Sequence, residues 1–212
     1  MRKSQTQEGK KKFNSWIDFC TFAVIMKKSP AIILLISLVF SSFAVIAQDN
    51  AVKSAETPDQ IKWYTFEQAV ELAKKNPKKI FVDVYTSWCG WCKRMDATTF
   101  THPVIIKYMN EKYYAVKLNA EQKEPITFDG HEFVNPNPDV SRSVHQFAAS
   151  LLDSRMSYPT TVYLDDKIQR LMVRPGYLTP QALEMTLKYY GEDRHQPVNW
   201  EDYQKNFVSE IK

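Results

Sequence analysis

The alternation of apolar and polar residues along the chain predicts a mixed α/β protein. Residues 79–85 (KIFVDVY) are apolar on both faces and rich in β-formers, which is typical of a buried strand in a parallel sheet. Residues 113–119, 160–164 and 168–173 are predicted as further strands, and residues 61–64 as a short first strand.

Helical periodicity lies between these strands. Residues 66–75 carry apolar residues on one face, with Thr65 as the expected N-cap and Asn76-Pro77 as the expected end. Four more helices are predicted at residues 93–100, 104–111 (with Pro103 in the first turn), 143–153 and 180–190 (with Thr179 as cap).

Two segments depart from this pattern. Residues 120–142 are rich in Pro, Gly and Asn, and a small hairpin is predicted within them at residues 126–133. A loop of this length in a compact domain is usually functional or disordered, so it is a candidate partner surface. The tail, residues 192–212, has three aromatic residues at helical spacing and is expected to dock on the domain; a partner-binding helix is the alternative.

Residues 1–47 have the pattern of an export signal. From Met26 onward, lysines precede an apolar run that ends at Ala47 before a polar stretch. We expect residues 1–47 to be an upstream extension plus signal peptide, with translation starting at Met26, and residues 48–60 to be a linker. The apolar run is near the lower limit for crossing a bilayer, so an uncleaved anchor through residues 30–47 is the alternative. Both interpretations export the domain, to the periplasm or another extracytoplasmic space.

The charge balance argues against a nucleic-acid partner. The whole chain has a formal net charge of +4. Residues 1–47 hold seven basic and two acidic residues, so the remainder is nearly neutral, at −1.

The candidate chemistry is a Cys-x-x-Cys at the junction between strand 79–85 and the helix that follows. Unpaired N–H groups and the helix dipole would stabilise a thiolate there. Cys20 lies before the export signal, so the exported chain keeps only Cys89 and Cys92, a redox pair by elimination. A structural disulfide is one alternative. Zinc is the other, and the additional ligands would come from His102, His131, His145 and His195.

The segment Trp88-Cys89-Gly90-Trp91-Cys92 resembles the active site of the thioredoxin family, with Trp91 in place of the usual proline. Asp83 matches the buried acid of the family, Lys117 the lysine on the next strand, Tyr158-Pro159 the cis-proline loop, and Gly176 the glycine before the last helix. The resemblance covers residues 60–190. It implies a thioredoxin fold over residues 61–191: a central mixed β-sheet flanked by helices, interrupted by the insertion at residues 120–142.

The expected roles follow from position and from this resemblance. Cys89, at the helix start, is expected to attack, and Cys92 to resolve the mixed disulfide. Asp83 should have a raised pKa through burial and accept the proton of Cys92. Supporting roles are expected for Trp88, Gly90, Trp91, Lys117, Tyr158 and Pro159, and the Tyr158-Pro159 bond should be cis.

These residues predict an exported thiol–disulfide oxidoreductase that acts on protein disulfides or dithiols. A membrane redox partner is expected to recharge it; no metal, cofactor or nucleic acid is expected, and the protein should be a monomer. The alternative from a different class is a binding or holdase-like module that kept the fold without turnover.

Overall fold

The structure is a computed structural model that describes residues 59–212. The expected signal peptide, the alternative anchor and nearly all of the linker lie outside the described residues. Within the described part of the chain, no helix combines the length and the apolar character needed to cross a membrane.

Within residues 59–212, seven strands form two sheets. They are β1 (Trp63–Tyr64), β2 (Lys79–Tyr85), β3 (Tyr113–Asn119), β4 (Ile126–Phe128), β5 (His131–Phe133), β6 (Thr160–Leu164) and β7 (Arg170–Pro175). The central sheet has the order β1-β3-β2-β6-β7, and β4 pairs only with β5. β1, β3 and β2 run parallel, whereas β6 is antiparallel to both β2 and β7.

Six helices are described along residues 59–212. They are α1 (Phe66–Lys75), α2 (Gly90–Thr98), α3 (Pro103–Lys112), α4 (Gln146–Leu151), α5 (Pro180–Gly191) and α6 (Trp200–Asn206). A parallel β-α-β half followed by an antiparallel β-β-α half on one sheet is the thioredoxin fold, which confirms the predicted fold class.

The two faces of the sheet bury separate cores because the side chains of β2 alternate. Ile80, Val82 and Val84 face the core that contains α1 and α4. Phe81 faces the other core, which contains residues of α2, α3 and α5. Asp83 follows Phe81 by two residues, so it lies on the face that carries the active-site helix α2.

The predicted bounds hold where local chemistry ends an element, as in α1. The Thr65 side chain accepts a hydrogen bond from the Gln68 amide, and the Gln68 side chain accepts one from the Thr65 amide. This capping box satisfies two amides that the first turn leaves unpaired.

Several predicted bounds are corrected, among them the first strand, which spans only Trp63–Tyr64, and the active-site helix, which ends at Thr98. The helix predicted at residues 143–153 is the shorter α4, because the His145 side chain caps it by accepting from the Phe147 amide. β7 begins at Arg170 rather than Ile168, because Ile168 has a left-handed backbone (φ 65°) in the turn. α2 begins at Gly90 rather than Lys93, because Cys89 is its N-cap.

The insertion, residues 120–142, folds onto the domain around a buried side chain. The Asn135 amide nitrogen donates to the carbonyl oxygens of Glu121, Gln122 and Ser143. Its oxygen accepts from the Asn137 amide and the Ser143 hydroxyl. Asn135 therefore ties the start of the insertion to its end.

Asn135→Ala should lower the free energy of unfolding by about 1–3 kcal/mol, because it leaves several buried polar groups without their partner. Urea unfolding checks the value, and limited proteolysis should place new cuts within residues 120–142. Asn137→Ala is the matched control, since Asn137 is exposed and contributes its backbone amide. Equal stability of the two variants would contradict this account of the insertion.

The tail lies on α5. Trp200 and Tyr203 pack against Tyr189 at ring-centroid distances of 5.1 and 4.8 Å. The buried Glu184 carboxylate accepts from the Glu210 amide and from Ser209 and Lys188. The aromatic residues at helical spacing thus pack on the domain, as the sequence predicted.

Candidate active site

The two cysteines lie at the start of α2. They are joined in a disulfide, with their Cα atoms 5.3 Å apart, and Cys89 is the N-cap of the helix. The Cys92 amide donates to the Cys89 sulfur over 3.0 Å. Both side chains are buried, Cys89 at 5% and Cys92 at 2% exposure, so the expected difference in accessibility is small.

This position favours a thiolate at Cys89 once the disulfide is reduced. The first amides of a helix have no partner within the helix, and the dipole places positive charge at this end. Cys89 combines both effects with a direct amide contact, whereas Cys92 lies inside the first turn.

Asp83 is the buried acid of the site. Its side chain is 1% exposed, and one oxygen accepts from Lys117 at 2.6 Å while the other, Oδ1, has no hydrogen-bond partner in residues 59–212. Burial raises the pKa of Asp83 to about 6; attraction and hydrogen bonding to Lys117 oppose the rise, and the charge of Asp96 adds to it. A carboxyl group with this pKa exchanges protons near neutral pH.

Lys117 connects the buried acid to the surface. Its ammonium group contacts Asp83 and also Asp96, which is partly exposed on α2. Burial lowers the pKa of Lys117, but the two carboxylates outweigh it and the net pKa is raised. Three aromatic rings surround the ammonium group within about 5 Å of their centroids: Trp63, Tyr85 and Phe100.

Asp96 was not among the site residues predicted from the sequence. It lies four residues after Cys92 in α2, and side chains at that spacing share one face of a helix. The spacing of four residues from Cys92 on a predicted helix was therefore the sequence feature that could have identified Asp96.

Trp88 forms one side of the site and is 50% exposed. Its indole nitrogen donates to Glu121 over 2.9 Å, and its ring meets the Tyr158 ring edge-on at 5.9 Å. The Arg142 guanidinium lies over the same ring at 5.1 Å. Glu121 and Arg142 both belong to the insertion, which therefore borders the disulfide.

Trp91 forms a second aromatic surface and is 59% exposed. Its ring lies 5.5 Å from that of Tyr177, and the Arg94 guanidinium stacks over both rings. Tyr177 is held in turn by Thr98 at 3.0 Å. Sequence reasoning anticipated Trp91 but not Arg94 or Tyr177.

The cis peptide predicted between Tyr158 and Pro159 is present. The Pro159 carbonyl accepts from the Gly176 amide over 2.8 Å, and Gly176 has a left-handed backbone (φ 96°) that favours glycine. Gly90 is different, because it is helical without a positive φ, and beyond its own helix and chain neighbours no atom lies within 4 Å of where its Cβ would be. The supporting role expected for Gly90 thus has no steric basis here.

The histidines considered as zinc ligands have other contacts. His102 and His145 cap α3 and α4. His131 lies on the β4–β5 hairpin, and His195 packs near Tyr190. Within residues 59–212, no group of three or more His, Cys, Asp or Glu side chains is arranged to hold a metal ion.

Comparison with known proteins gives matches to parts of the chain. An uncharacterised protein from Caenorhabditis elegans is 33% identical over 67 residues, which is 31% of this chain and 9% of that protein. Spermatogenesis-associated protein 20 from Homo sapiens is 26% identical over 110 residues, 51% of this chain and 12% of that protein. The chain thus spans about a tenth of the length of these relatives.

Among solved structures, one titled DsbH Oxidoreductase is 16% identical, with a TM-score of 0.47 over 69% of this chain and 96% of that chain. The family model named Thioredox_DsbH, described as a protein of unknown function, DUF255, matches residues 47–191. This match includes the whole sheet, both cysteines, Asp83 and the cis-proline loop. Since it covers more than half of the sequence, the chain belongs to the Thioredox_DsbH (DUF255) family.

Proposed function

We propose that this protein is an exported thiol–disulfide oxidoreductase that exchanges disulfides with protein substrates through Cys89 and Cys92. The observation that carries the proposal is the position of Cys89 as N-cap of α2, with its sulfur accepting from the Cys92 amide. A sulfur held in this way gains thiolate character, and the thiolate is the nucleophile of disulfide exchange.

Reduction of a substrate takes two exchanges. The Cys89 thiolate attacks one sulfur of the substrate disulfide, forming a Cys89–substrate bond while the other substrate sulfur leaves as a thiolate. Cys92 then loses its proton and attacks the Cys89 sulfur. The substrate departs as a dithiol, and Cys89–Cys92 is oxidised to the disulfide.

Asp83 is the proposed acceptor of the Cys92 proton. It lies on the sheet face that α2 covers. Its pKa of about 6 means that it is mostly ionised at neutral pH and can still accept the proton that Cys92 releases. Lys117 and Asp96 lie between it and solvent, and the Lys117 ammonium group stabilises the ionised form of Asp83 that accepts the proton.

Continued turnover requires a second partner that carries a dithiol. That partner reduces Cys89–Cys92 by the same exchanges in reverse and is itself oxidised. We propose a membrane protein for this role, with the catalytic domain acting as a monomer outside the cytoplasm. Nucleic acid has no place in this cycle.

Insulin reduction tests the proposal. The purified protein with dithiothreitol as electron donor should precipitate insulin chains faster than dithiothreitol alone, and Cys89→Ser should abolish the gain. Equal rates with the parent and the variant would favour the alternative, a binding module without turnover. Two exposed tryptophans beside the cysteines are compatible with either function.

Cys92→Ser should trap substrates covalently, since the mixed disulfide on Cys89 then has no resolving thiol. Cys89→Ser should trap few, because Cys92 lies inside the first turn and lacks the N-cap position that favours a thiolate at Cys89. Non-reducing gels of cell extracts expressing each variant check this, with Cys89→Ser/Cys92→Ser as the control. Equal trapping by both single variants would overturn the assignment of attacking and resolving cysteines.

A further inference from the structure

Each exposed tryptophan of the active site has an arginine stacked on it. Arg142 lies 5.1 Å from the Trp88 ring, and Arg94 lies 5.7 Å from the Trp91 ring. Trp88 directly precedes Cys89, and Trp91 directly precedes Cys92. Each guanidinium group thus lies over the side chain of a residue that directly precedes one of the two cysteines.

Neither arginine is neutralised by the described part of the chain. Within residues 59–212, no carboxylate oxygen lies within 4.0 Å of the side-chain nitrogens of Arg94 or Arg142, whereas Lys117, Lys123, Lys188 and Arg170 each have such a partner. The acids nearest in sequence, Asp96 and Asp139, are paired with Lys117 and Lys123, and Glu121 accepts from the Trp88 indole nitrogen. Neither guanidinium group is therefore committed to an ion pair within residues 59–212.

The insertion holds Arg142 in place by specific contacts. Arg142 precedes Ser143, whose carbonyl and hydroxyl both bond to the buried Asn135. The Arg142 backbone is left-handed (φ 63°), a conformation that costs about 1–3 kcal/mol for a residue with a side chain. The Arg142 guanidinium lies over the Trp88 ring, and both side chains line a cleft of about 300 Å³ that also borders Tyr158 and Met156.

We propose that Arg94 and Arg142 are specificity-determining residues that select substrate segments with acidic side chains next to the reacting cysteine. This inference rests on the proposed function and names its substrate class. A peptide strand that presents its cysteine to Cys89 has its neighbouring residues over Trp88 and Trp91. A carboxylate there meets a guanidinium that is already oriented on an aromatic ring, so it loses little further side-chain freedom.

The size of the effect follows from the exposure of the two arginines. Ion pairs at exposed positions contribute about 0.2–1 kcal/mol each, so two favourable contacts should raise the exchange rate by about twofold to thirtyfold over a neutral segment. A basic segment should react more slowly than the neutral one. Salt should reduce both differences, because exposed charges are screened.

The test measures single-turnover exchange of the reduced protein by tryptophan fluorescence, so no recharging partner is needed. The probes are synthetic peptides with one cysteine capped as a disulfide with 2-mercaptoethanol. They differ in the residues directly before and after the cysteine, which are Glu, Gln or Lys. We expect the order Glu, Gln, Lys at low salt, and a smaller Glu-to-Gln rate ratio in Arg94→Gln and in Arg142→Gln.

The double variant Arg94→Glu/Arg142→Glu should reverse the order and favour the Lys peptide. Arg194→Gln is the matched control. Arg194 is near the Lys79–Asp193 ion pair at the start of β2, whereas Cys89 follows the other end of that strand. The Glu-to-Gln rate ratio of this variant should therefore equal that of the parent. Equal rates for the peptides in the parent, or an order that survives the charge reversal, would overturn the inference alone. Absence of exchange with every peptide would overturn the proposed function together with it.

Discussion

Asp83→Asn should raise the free energy of unfolding at pH 7 by up to about 3 kcal/mol, since a pKa shift from 3.8 to about 6 corresponds to that energy. The acid is fully buried, and its ionised form loses more by leaving water than Lys117 returns. Asparagine has nearly the same shape and resembles the protonated acid. The variant therefore removes the cost of burying the negative charge.

The gain should depend on pH in a defined window. Below about pH 4, Asp83 is protonated in both the folded and the unfolded protein, and parent and variant should be equally stable. Between about pH 4 and 6 the unfolded chain releases this proton while the folded protein keeps it, so the parent loses stability as the pH rises. Urea unfolding of the oxidised proteins across this range checks the prediction, and a pH-independent difference would contradict it.

The same variant should slow the release of substrate. Loss of a positioned proton acceptor typically costs about 10²-fold or more in the step it serves, so resolution by Cys92 should become the slow step. Stopped-flow decay of the Cys89 mixed disulfide measures this directly. Asp139→Asn is the control, an exposed acid of the insertion that is paired with Lys123. A variant that resolves at the parental rate across neutral pH would contradict the role of Asp83.

Elements were predictable from the sequence where their ends depend on neighbouring residues. Thr65 and Asn76-Pro77 delimit α1, and β2 and β3 have the predicted bounds because their apolar runs are continuous. The starts of α4 and β7 depend instead on the conformations of His145 and Ile168, which the pattern of apolar and polar residues does not predict. The His145 ring is held by a residue remote in sequence, because its Nε2 atom contacts the Glu124 carbonyl oxygen.

In the candidate site, too, the residues placed by local sequence were predictable and those placed by distant contacts were not. Cys89, Cys92, Asp83 and Lys117 were predictable because they fall within the motif or on the two strands beside it. Arg142 and Glu121 were not, because Asn135 brings both ends of the insertion to Trp88 through hydrogen bonds that span up to 14 residues. The sequence made the insertion a candidate partner surface; its position beside Trp88 required the fold.

Lys117→Met should raise the pKa of Asp83 further above its ordinary value, because attraction and hydrogen bonding to Lys117 are what hold it down. Methionine is apolar and unbranched, so it can occupy the space among Trp63, Tyr85 and Phe100. A rise of one unit from the parental pKa of about 6 would lower the ionised fraction of Asp83 at pH 7 by about twofold, and by up to about tenfold at lower pH. Resolution at pH 7 should slow accordingly and recover at higher pH.

Stability provides an independent measurement for Lys117→Met. In the parent, the loss of stability caused by Asp83 is complete above about pH 6; in the variant it should continue to higher pH, since the folded acid keeps its proton longer. Asp96→Asn is the control of opposite sign, because the charge of Asp96 raises the pKa of Asp83 and its removal should shift both profiles to lower pH. If Lys117→Met and Asp96→Asn moved the profiles in the same direction, electrostatic control of Asp83 by this ion-pair network would be wrong.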